Sequence, residues 1–144
     1  MTEAGSGYDR DTLRSIAQAK LDDAELLIQN KRFSNGYYLV GYAIEVGLKA
    51  CIARQFVADV IPDRKYVDAI YTHQLDDLVK LAGLSQELAN KQHLEANFGA
   101  NWALVAQWRE STRYEEIDQA TAEDMMRAVI DARSGVFEWI KVHW

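Results

Sequence analysis

Residues 37–53 read YYLVGYAIEVGLKACIA and decide the fold. The run is apolar or small on every side and is broken only by Glu45 and Lys49. A surface helix shows one apolar stripe, whereas a segment apolar all round is buried all round. The run is short for a membrane span, and each charge near its middle would cost about 3 kcal/mol to insert. It therefore reads as the central helix of an all-α bundle, with Gly41, Ala43, Gly47 and Ala50 admitting close neighbours. Buried charges need partners, so chemistry is expected near Glu45 and Lys49.

Working outward, Leu13, Ile16, Ala17, Ala24, Leu27 and Ile28 recur at helical spacing and predict a first helix, capped by Asp11 and ending near Lys31 or Arg32. Ser34, Asn35 and Gly36 predict a tight connection that turns the second helix back antiparallel, to end near Val57. Residues 58–71 hold the single proline, Pro62, and room for one short helix. Thr72 is the expected cap of a third helix through Leu75, Leu78 and Leu81, with Gly83 as its stop. Ser85 opens a fourth, interrupted around residues 97–99 and resuming through Trp102, Val105 and Trp108. Thr121 with Asp124 resembles a capping box for a last helix carrying Met125, Val129, Ala132, Val136 and Ile140 on one face. The expected architecture is an up-and-down bundle of four to five helices. Residues 1–8 read as a flexible tail and 9–144 as one domain.

The chain has 144 residues, enough for one domain with a real core, and nearly half of them are apolar. Its net charge is −6. A broad nucleic-acid footprint would be basic, so any RNA or nucleotide contact has to be a local patch. Cys51 is the only cysteine, which excludes an internal disulfide and suits a reducing, cytoplasmic setting. Residues 1–7 (MTEAGSG) lack the apolar stretch of a signal peptide, and no membrane association is expected. No metal or cofactor is expected either. Di-iron bundles use Glu-x-x-His, but Ile70 and Asn90 stand three residues before His73 and His93. Phosphate-loop and dinucleotide fingerprints are lacking, and no serine sits in a recognisable nucleophile setting.

In order along the chain stand the amphipathic first helix, YYLVGYAIEVGLKACIA, THQLDDLVKLAGL (72–84), NWALVAQWRESTRY (101–114) and a closing helix with Trp139 and Ile140. This ordered set, over about residues 9–141, resembles the HEPN family. The resemblance implies a helical bundle, often dimeric. Many members are metal-independent ribonucleases, often toxins paired with a small nucleotidyltransferase-like antitoxin. Their catalytic pattern is Arg, four to six residues, then His. Arg113 stands where that arginine is expected, but residues 114–123 contain no histidine. Arg64 is nine positions before His73, too far, and neither His93 nor His143 has an arginine at the required spacing.

Glu45 and Lys49 are four apart with Glu first, the favourable order for a helical ion pair. The resemblance implies a different partner for Glu45, the motif arginine Arg113, in a planar fork-to-carboxylate pair. His73 at a helix start is a candidate acid/base group, though the reading favoured is a capping-region histidine packed against the second helix. His93 lies in a polar stretch, and His143 falls in the C-terminal tail. Glu45, Arg113 and His73 are thus the catalytic candidates. Lys49, Asn101, Trp102, Trp108, Arg109 and Tyr114 are candidates for binding or an interface, where Trp, Tyr and Arg are enriched. The missing histidine and the acidic balance favour a non-catalytic interaction module, and the resemblance implies that it is homodimeric and partnered with a nucleotidyltransferase-like protein in a toxin–antitoxin-type system. The alternatives are a ribonuclease with a degenerate site and a nucleotide-binding helical domain.

Overall fold

The computed structural model describes residues 7–144, and most of the tail expected over residues 1–8 lies outside that range. The described residues are all helical, without strands. Helices α1 (Arg10–Gln29) and α2 (Phe33–Ala53) form the main antiparallel pair. Then come α3 (Arg64–Ala69), α4 (Leu75–Leu81), α5 (Ser85–Leu94) and α6 (Ala96–Val105). A 3₁₀ segment, Glu110–Tyr114, precedes α7 (Gln119–Ile130) and α8 (Val136–His143).

As its all-round apolar character predicts, α2 is the centre. It touches α1, α4, α7, α8 and the 3₁₀ segment, and Val40, Ile44 and Leu48 are fully buried. Its small residues set these approaches. Gly36 lies against Ile28 of α1, and Gly47 against Ile140 of α8. Gly41 lies flat beneath the Trp108 indole, which occupies the space where a methyl group would go.

Most differences from the sequence reading concern where helices start and stop. Asp9, not Asp11, caps α1, its carboxylate accepting from the Thr12 N–H at 2.8 Å. Ser34, Asn35 and Gly36 lie in the first turns of α2 rather than in a connection. The chain turns one step earlier, at Lys31, which takes a left-handed φ of 63°. The α2 helix stops at Ala53, before the irregular, turn-containing stretch that leads to Pro62. Gln74, not Thr72, is the capping position of α4, and Thr72 Oγ1 accepts from its N–H at 3.2 Å. Gly83 does end that region, at φ +73°.

The break expected at residues 97–99 falls at Glu95. Phe98 is fully buried on α6, so residues 97–99 stay helical, while Glu95 is extended and held by Lys91 Nζ at 2.7 Å. Asp118, not Thr121, caps α7 and accepts from the Thr121 N–H at 2.8 Å. The single last helix is two. Asp131 accepts from the N–H groups of Arg133 (2.9 Å) and Ser134 (2.7 Å), which closes a turn where helix would continue. Gly135 then passes so close to the Val129 and Asp131 carbonyls that no side chain fits. His143, expected in the tail, is the last residue of α8.

Candidate functional site

The polar centre is built from three elements that meet on one flank of α2. Glu45 projects from the middle of α2 and is 1 % exposed. One turn on, Lys49 donates to its Oε2 at 3.2 Å, the ion pair that the i,i+4 spacing predicts. His73, in the link between α3 and α4, brings Nδ1 to 3.0 Å from both Glu45 oxygens. The other face of the ring meets the 3₁₀ segment, with Nε2 3.2 Å from Glu110 Oε2. Glu110 Oε1 in turn accepts from Arg113 Nη1 at 3.1 Å, and the Arg113 guanidinium stacks on the Tyr114 ring at 4.9 Å. The result is one chain of contacts: Lys49, Glu45, His73, Glu110, Arg113, Tyr114.

The direct Glu45–Arg113 pair expected from the resemblance is therefore corrected. Arg113 sits at the solvent edge, where Glu110, three residues before it, takes the guanidinium. The buried carboxylate takes His73 instead, whose shorter side chain leaves the helix start that abuts α2. His73 lies in the capping region of α4 and against α2, as the favoured reading has it, but with a second contact that reading omits. Its ring ties two carboxylates together and its side chain is 41 % exposed. Glu110 is the member that the sequence reading omits, and its only signal is the i,i+3 spacing to Arg113. The Tyr42 phenol lies close by. Burial first, then the Glu45 carboxylate, pushes its ionisation above the usual tyrosine range.

The binding candidates scatter. Trp102 and Trp108 are buried in the chain's own core, so packing replaces the interface role considered for them. Trp102 meets Trp139 edge-on, and Trp108 stacks near Tyr38 with ring centres 5.8 Å apart. Asn101 Nδ2 donates to the Ser134 carbonyl at 2.9 Å, fastening α6 to the α7–α8 turn. Arg109 Nη1 donates to the carbonyls of Ala106 (2.7 Å) and Trp108 (2.8 Å), closing the end of α6. Tyr114 is the one aromatic candidate on the surface, 79 % exposed.

Chemically, the arrangement is a histidine with both ring nitrogens engaged. Nδ1 hydrogen-bonds to Glu45, and Nε2 lies at ion-pair distance from Glu110, a contact that is attractive only while the ring carries both protons. No group of three or more His, Cys, Asp or Glu among the described residues is arranged to hold a metal ion. No described helix is long and apolar enough to cross a membrane. Open grooves lie elsewhere, between α6 and α7 (Asn101, Leu104, Arg127) and between α1 and α7 (Ile28, Met126).

Comparison with known proteins completes the picture. No curated protein and no solved structure matches the chain. The family model described as HEPN domain matches residues 11–143, which takes in every member of the network and, but for Arg10, all eight α-helices of the described residues. The chain belongs to the HEPN domain family.

Proposed function

We propose that this chain is a HEPN module that works by binding rather than by catalysis, as a homodimer whose partner is a nucleotidyltransferase-like protein in a toxin–antitoxin-type system. The observation that carries the non-catalytic reading is the engagement of His73. A general base has to reach the proton it removes with a free lone pair. Here Nδ1 faces Glu45 and Nε2 faces Glu110, so while the ring holds both carboxylates neither nitrogen is free for a ribose hydroxyl. Arg113 is likewise drawn to Glu110. Beyond it the sequence continues Tyr114, Glu115, Glu116, which repels rather than gathers phosphates. Tyr114, exposed and braced by Arg113, is the kind of rigid aromatic–arginine pair that anchors protein interfaces. The homodimer and the partner's class rest on family membership, and the cytoplasmic setting on the single buried thiol.

The degenerate-ribonuclease reading keeps one supporting observation. Glu45, His73 and Arg113, far apart in sequence, lie in one network. One experiment separates the two. Pure protein is incubated with structured and single-stranded RNA in EDTA, alone and after co-expression with the product of the adjacent reading frame. The binding reading expects no cleavage, a dimer by sedimentation and a stable complex that Tyr114→Ala weakens. Cleavage abolished by both His73→Ala and Arg113→Ala overturns it.

A further inference from the structure

Residues 106–118 form a strap between α6 and α7, fastened to the body of the bundle by three contacts of different kinds. Trp108 is sunk against Gly41 and Tyr38. Glu110 reaches His73 Nε2. The Ile117 N–H donates to Ser34 Oγ at 2.8 Å. An indole in a core and an amide on a hydroxyl do not respond to pH. The middle fastening does, because it is an attraction only while the imidazole carries both its protons.

The surroundings of the ring decide which side gives way. From α2 come Glu45 and Lys49, with the Tyr42 phenol near enough for both carboxylates to raise its ionisation. From the strap come Glu110 and Arg113. The next helix, α4, carries Asp76 and Asp77 at exposed positions in its first turn. Each carboxylate that touches the ring already has its own cation, Lys49 for Glu45 and Arg113 for Glu110. Loss of the imidazole proton therefore strands no charge; it replaces one N–H by a lone pair facing an oxygen. Glu45 presents two oxygens to Nδ1 and is held in the core, so Nδ1 keeps its hydrogen. Glu110 is 30 % exposed and free to swing out with Arg113, so Nε2 is the atom that goes bare.

The geometry points to a proton-operated clasp: the His73 imidazolium holds the 3₁₀ segment Glu110–Tyr114 against α2, and loss of the Nε2 proton releases it. What the clasp governs is the presentation of Arg113 and Tyr114. It operates in the isolated chain, with or without a partner.

The test is amide hydrogen exchange of residues 109–116 in the full chain, corrected for the intrinsic pH dependence of exchange. It is read alongside the ring-proton NMR titration of His73, assigned by its loss in His73→Gln. A partly exposed ion pair, worth up to about 1 kcal/mol, sets the scale, so protection of the segment should fall by up to about fivefold as the His73 ring loses its proton. The α2 amides should stay unchanged over the same range. His73→Gln and Glu110→Gln should each abolish the pH dependence. Glu110 is partly exposed, so the second variant tests the clasp even where the first is unstable. Flat protection across the His73 titration, or a pH dependence that survives in Glu110→Gln, overturns the clasp.

Discussion

Replacing Gly41 by alanine tests the central packing most sharply, because two effects of known sign oppose each other. Within a helix alanine is better than glycine by about 1 kcal/mol, so a methyl that found space would stabilise the protein. At Gly41 it finds the Trp108 ring instead. Trp108 is fully buried, and Tyr38 closes over it. Overpacking a tight core costs about 1–3 kcal/mol, and overlap with a rigid ring belongs at the upper end. The net expectation is a loss of about 2 kcal/mol, the steric cost less the propensity gain. With a urea slope of about 2 kcal/mol per molar, the midpoint should fall by about 1 M. Trp108→Leu alone should destabilise by about 3 kcal/mol through the cavity it leaves. In that background, however, Gly41→Ala should be neutral or favourable. The cycle should thus show a coupling of about 2 kcal/mol by urea denaturation followed at 222 nm. Additive changes, or a stabilising Gly41→Ala in the wild-type chain, would refute the proposed contact.

Two further outcomes are expected. Glu45→Ala should cost about 2–4 kcal/mol, moderated because Lys49 and His73 both reach solvent, and it should couple to His73→Ala by about 1 kcal/mol or more; an additive cycle would sever the Glu45–His73 contact. Burial pushes the Cys51 thiol from about 9 up to about 12, so between those values the unfolded chain releases a proton that the folded one keeps, and stability should fall with rising pH by up to about 1.4 kcal/mol per unit. Unfolding at pH 8 and pH 10 should show wild type losing about 1 kcal/mol more than Cys51→Ala, and equal losses would mean that the thiol is not sequestered.

The centre of the fold was legible because it depends on a property carried by every residue in one run. Around residues 37–53 there is no polar face to turn outward, so α2 has to be surrounded. The helix ends were less legible because several residues compete for each one. Asp9 and Asp11 are equally good caps by type, and the choice falls to the position whose carboxylate reaches an unpaired N–H. The split between α7 and α8 was hidden for another reason. Met125, Val129, Val136 and Ile140 all face the core and keep a helical rhythm across the break. The turn at residues 131–135 preserves their burial while its hydrogen bonds pass to Asp131.

The site divides along the same line. The Lys49–Glu45 pair follows from spacing within one helix and could be read directly. The contacts of His73 could not, because they join residues 28 and 37 positions away, through elements whose register only tertiary packing fixes. Family resemblance singled out Glu45 and Arg113 and joined them directly. In the folded chain they are the two ends of a relay, and the residues between them are the histidine favoured as a packing group and the glutamate left unconsidered. That insertion changes the chemistry. A bare Glu–Arg pair joins one acceptor to one donor, whereas one interrupted by an imidazole contains a group that can offer either one N–H or two. The clasp proposed on this flank of α2 therefore needs no arginine-to-histidine spacing of the kind that ribonuclease members use.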